Sequence, residues 1–107
     1  MFSLRVIKLV DALPRSTAGR AIGTQLIRSG TSVGANYRAA CRGRSKAEFV
    51  AKLGTVEEEA DESAFWMELI ADAGLLPGSR VTPLRTEAEE LTRIMAASRL
   101  TARRPNS

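Results

Sequence analysis

The sequence predicts an all-α protein, an antiparallel up-down-up-down four-helix bundle, and three observations carry that expectation. Four segments repeat apolar residues at steps of three and four, with charged residues between them. Helix start and stop signals separate these segments by only a few residues, which makes neighbouring helices antiparallel. No segment alternates apolar and polar residues with period two, so no strand is expected. A chain of 107 residues suits one domain. The bundle is expected over residues 1–101, followed by a flexible basic tail at 102–107.

The first helix is carried by Phe2, Val6, Leu9, Val10 and Leu13 and ends at Pro14. Ser16 or Thr17 can cap the second helix, expected from Thr17 to Arg42 with a stripe of Ile22, Leu26, Ser29, Val33, Tyr37 and Ala40. Four glycines lie in this helix, at positions 19, 23, 30 and 34. Each costs about 1 kcal/mol of helix propensity against alanine. They imply either a close helix crossing, a groove for a partner, or a break near Gly30. Ser45-Lys46-Ala47-Glu48 is a capping box that starts the third helix. Its seam is Phe49, Leu53, Val56, Ala60, Ala64, Met67 and Ile70, and it stops near Gly74. Thr82 followed by Pro83 reads as the start of the fourth helix, whose face is Leu84, Ala88, Leu91, Met95 and Ser98.

Charge is unevenly spread. Residues 1–55 hold ten Lys or Arg against two acids, and residues 56–107 hold six Arg against ten acids. A hairpin turning at Gly43–Arg44 brings Arg28 opposite Glu58, Glu59 and Glu62, which are expected to form a structural ion pair with it. Arg38, Arg42, Arg44 and Lys46 cluster at the hairpin tip, where they can contact phosphates, with Tyr37 as a nearby aromatic. Phe65 and Trp66 are adjacent, so one helix cannot turn both inward. With Tyr37 they are the candidate interface residues.

The chemistry that is missing narrows the function. There is no histidine, which removes Ser-His, Cys-His and Glu-x-x-His sites. The single cysteine, Cys41, offers no disulfide partner and no zinc pair, and it fits a reducing cytoplasm. No metal ligands, cofactor or catalytic residues are expected. Arg5, Lys8 and Asp11 interrupt the apolar N-terminus, which reads as neither a signal peptide nor a membrane span. The leading reading is a non-enzymatic oligomer that binds nucleic acid through its basic surface. A protein–protein scaffold is the alternative. A third reading is a carboxylate-based metal enzyme on Glu58 and Glu62, which carboxylates alone would support poorly with a transition metal.

Ser29 through Arg38 (SGTSVGANYR), then RSKAEFVAKLG, then the acidic run and FWMEL, resemble a family of small bacterial four-helix-bundle proteins. It is the family of ribosomal RNA intervening-sequence proteins, distantly related to the accessory proteins of diversity-generating retroelements. The resemblance spans nearly the whole chain and rests on Arg28, Ser32, Asn36, Ser45, Glu48, Phe49, Leu53, Glu58, Glu62 and Trp66. It implies an antiparallel bundle, a ring-shaped homopentamer and no enzyme activity. Through the retroelement relatives it implies RNA or DNA, a reverse transcriptase or another protein as partner.

Overall fold

A computed structural model describes residues 1–105. Within them the chain forms four helices and no strand: α1 (Phe2–Asp11), α2 (Thr17–Cys41), α3 (Lys46–Asp72) and α4 (Gly78–Ala102). Consecutive helices run antiparallel. Val6 and Val10 of α1 lie beside Gly30 and Gly23 of α2. Arg28 of α2 meets Glu59 of α3, and Glu57 and Glu68 of α3 meet Arg99 and Arg85 of α4. Arg5 of α1 pairs with Glu87 of α4, which closes the bundle. The result is a rod of 50 × 20 × 19 Å.

The helix boundaries follow from local chemistry. Ser16 accepts a hydrogen bond from the Gly19 amide at 3.0 Å and Ser45 one from the Glu48 amide at 3.1 Å. These satisfy first-turn donors that have no partner inside the helix. The Glu48 carboxylate accepts in return from the Arg44 amide at 2.7 Å, one residue before the cap. Gly74 takes φ +69°, a left-handed conformation that glycine adopts without cost. It lets the Leu75 and Gly74 amides donate back to the Ile70 and Ala71 carbonyls, a Schellman motif that ends α3.

The fourth helix corrects the sequence reading. It starts at Gly78, and Pro83 lies inside it. Thr82 does not cap the helix; its hydroxyl donates to the Gly78 carbonyl at 2.8 Å. Val81 is fully buried, and seating it on the core requires a helical turn before the proline. Pro83 forgoes one intrahelical bond, on a solvent-facing side where water can satisfy the freed carbonyl.

α3 packs against both α2 and α4, which do not approach each other among the described residues. It is therefore the spine of the core. Leu26, Leu53, Met67, Ile70, Val6, Val56 and Val81 are its largest fully buried apolar side chains. Each such burial contributes about 1.5–3 kcal/mol against the entropy of ordering the chain. One polar pair sits inside: the Ser29 and Ser63 hydroxyls are 2.9 Å apart, and Ser63 also donates to the Glu59 carbonyl at 2.9 Å. Both serines are fully buried, so the bond fixes the α2–α3 register where a slip would strand a hydroxyl.

α2 is unbroken at Gly30, because its glycine face receives α1. The close crossing expected from the glycines thus lies within the chain. Tyr37 is not part of the buried stripe; it is exposed. No described helix is long and apolar enough to cross a membrane. Of the tail expected at 102–107, Ala102 ends α4, and residues 106 and 107 lie outside the described residues.

Candidate nucleic-acid interface

Antiparallel packing puts the end of α2, the start of α3 and the end of α4 at one tip of the rod. Arg38 and Arg42 come from the last turn and cap of α2, Arg44 from the connecting turn and Lys46 from the first residue of α3. All four are exposed, and none has a carboxylate partner among the described residues. Glu48, the acid beside them, is held by the Arg44 amide.

The structure adds two cations that sequence reasoning placed in a separate tail. Arg103 caps α4 and Arg104 follows, both exposed, and the Lys46 ammonium donates to the Arg104 carbonyl at 2.9 Å. Their arrival at this tip depends on α3 and α4 being nearly equal in length. An open cleft of about 480 Å³ separates the α2–α3 turn from the end of α4, with Cys41, Lys46 and Phe49 on its walls. Six exposed cations near one end of the rod form a field that attracts polyanions.

The expected α2–α3 ion pair forms in part. Arg28 donates to Glu59 at 3.2 Å and to Glu62. Glu58 faces solvent one residue away from this contact and does not join it. Glu57 instead pairs with Arg99 of α4 at 3.0 Å, a partner hidden from the sequence until the start of α4 is known. Arg28 is half exposed, so the pair is a surface contact rather than a buried one. Arg28→Ala is accordingly expected to leave the unfolding midpoint nearly unchanged.

Glu62 is the hub of this patch. The Trp66 indole donates to its carboxylate at 3.0 Å, and Arg28 approaches the same oxygen. These contacts, the indole first, hold the Glu62 carboxyl below the usual carboxylate range despite partial burial. A lowered folded-state pKa contributes stability above the unfolded-state value and loses it as pH falls through the folded-state value. Trp66→Phe keeps the ring but removes the donor. The Glu62 pKa is then expected to rise toward its ordinary value, read from the side-chain carboxyl shift in an NMR titration. An unchanged midpoint would assign the depression to Arg28 alone.

Trp66 packs partly buried against the core, whereas Phe65 stands half exposed beside it, with the rings edge to face at 5.0 Å. Asn36 donates to the Ser32 carbonyl and hydroxyl at 3.0 and 2.8 Å, which ties two of the family-like positions together on α2. No group of three or more His, Cys, Asp or Glu that could hold a metal ion occurs among the described residues.

The comparisons agree with this architecture. Residues 1–97 match the family model described as 23S rRNA-intervening sequence protein. A crystal structure of a protein of unknown function from the S23 ribosomal protein family of Bacteroides thetaiotaomicron superposes with a TM-score of 0.83. It is 28% identical, over 90% of this chain and 89% of that one. None of the curated proteins matches the chain.

Proposed function

From the premise that the chain belongs to the 23S rRNA-intervening sequence protein family, we propose a non-enzymatic, homo-oligomeric bundle that binds nucleic acid through its basic tip. The observation that carries the reading is the convergence of Arg38, Arg42, Arg44, Lys46, Arg103 and Arg104 on one end with no carboxylate paired to the first four among the described residues. An unneutralised cationic end fits a phosphate backbone and reads no bases, so binding is sequence-tolerant. The lone exposed Cys41 fits a reducing cytoplasm as the place of action.

Binding of RNA and DNA duplexes across a salt series tests the reading. Replacing Arg38, Arg42 and Arg44 together with alanine removes three cations. The log–log salt slope should flatten by about 2.7 on duplex DNA and about 2 on single strands, at about 0.9 and 0.7 per phosphate contact. No binding by the unaltered protein at low salt would refute the function.

The homo-oligomer rests on separate features. Phe65 stays half exposed on an acidic α3 face, and the basic face of α2 lies elsewhere on the chain. In this reading copies associate head to tail and close into a ring, five per ring by family resemblance.

A further inference from the structure

An open cleft of about 200 Å³ lies between α1 and the first turns of α4, away from the basic tip. Arg5, Lys8 and Leu9 line it from one face of α1, and Arg80 and Leu84 line it from α4, one turn apart. Leu9 and Leu84 are buried and form its floor, whereas the three cations are exposed and form its rim. Arg80 joins the rim because α4 starts at Gly78, ahead of the Thr82-Pro83 signal. Arg5 is already paired with Glu87. Lys8 and Arg80 have no carboxylate partner among the described residues. Asp11, one turn beyond Lys8, lines the cleft between α1 and α2 instead.

Another face of the bundle carries the complement. Glu58, Asp61, Phe65, Glu68 and Asp72 fall on one stripe of α3, opposite its buried seam, and all are exposed. Asp61 and Glu68 flank the Phe65 ring, one turn to either side. Of these acids Glu68 alone has a cation near it, Arg85 at 3.8 Å. An aromatic ring that is 50% accessible thus stands among acids, while a leucine-floored cleft stands among cations. α1 and α3 do not touch, so the two surfaces cannot meet within one chain.

We propose that the α1–α4 cleft is the acceptor for the Phe65 face of a second copy, an inference that rests on the homo-oligomeric reading above. α3 of the second copy lies across the cleft. Its Phe65 ring covers Leu9 and Leu84, and its Asp61 and Glu68 meet Lys8 on one wall and Arg80 on the other. Two buried leucines on the floor suit a ring better than a phosphate. Complementary charge around the ring fixes the orientation in which the copies dock. Knob and cleft are different surfaces, so the contact is heterologous and propagates from copy to copy.

Light scattering on size-fractionated protein at tens of micromolar tests the contact. Phe65→Lys sets a cation against the cationic rim, and Lys8→Glu with Arg80→Glu reverses the rim against the acids. All three positions are exposed, so the fold should hold in both variants. Each variant is expected to fall to monomer mass with unchanged far-ultraviolet dichroism. Leu100→Lys, at an exposed apolar residue outside both surfaces, should leave the mass of the assembly unchanged. Mixing the two monomeric variants brings one sound knob to one sound cleft, and should give a dimer of twice the monomer mass. A mixture that stays monomeric would overturn the pairing of these two surfaces. An unaltered chain that is monomeric would remove the homo-oligomeric reading itself. An unaltered oligomer whose mass survives the Lys8 and Arg80 reversal would leave that reading standing and overturn the cleft as the acceptor.

Discussion

Gly30→Ala is expected to destabilise the bundle by about 1–3 kcal/mol, although alanine is the better helix former by about 1 kcal/mol. A Cβ at position 30 would lie 2.6 Å from a Val6 methyl and 3.0 Å from the Val6 Cβ, and Val6 is fully buried. The valine cannot swing into solvent, so α1 must lift from α2. Gly19→Ala should cost more, since its Cβ would lie 2.1 Å from the Pro14 carbonyl oxygen, which is backbone and has no rotamer to change. Denaturant unfolding separates the two cases. Val6→Ala should partly rescue Gly30→Ala, with a coupling of about 0.5–3 kcal/mol, and should not rescue Gly19→Ala. A Gly30→Ala protein as stable as the unaltered chain would mean that α1 is not seated against α2 at this distance.

Those glycines also show what could be read in the sequence. Their cost in a helix announced a close approach, but not to which neighbour. The partner is α1 of the same chain, so they do not supply a contact between copies. The α2–α3 hairpin was legible because the capping box at Ser45 and the short turn before it fix both helix phases. Arg28 consequently meets Glu59 and Glu62. The α4 register was not legible. Thr82-Pro83 has the local chemistry of a helix start, and the burial of Val81 overrides it. Everything that depends on that register was hidden with it, including the Arg99–Glu57 pair. The basic tip was half legible: Arg38, Arg42, Arg44 and Lys46 are close in sequence, whereas Arg103 and Arg104 reach them only through the matched lengths of two helices. Ser63 was missed because a small polar residue on a helix leaves no mark in hydrophobic periodicity, and only its contact with Ser29 reveals its role.

Substituting three consecutive residues of α3 should separate folding from assembly. Met67 is fully buried in α3, the helix that packs most extensively against both α2 and α4. Met67→Ala is expected to cost about 2–5 kcal/mol from lost burial and the cavity left behind. A domain of this size has only about 5–15 kcal/mol in total. Trp66 is intermediate: part of its ring packs on the core and its indole holds Glu62, so Trp66→Ala should lower stability as well. Phe65 is 50% exposed and meets the Trp66 ring edge to face, so Phe65→Ala should change stability by less than about 1 kcal/mol. Thermal unfolding at low protein concentration orders the three variants, and mass at high concentration gives a second axis. A side chain that contributes little to its own fold, yet is large, aromatic and ringed by acids, is placed for contact with another molecule. If Phe65→Ala unfolded the monomer as strongly as Met67→Ala, Phe65 would belong to the core, and its exposure could no longer support a contact between copies.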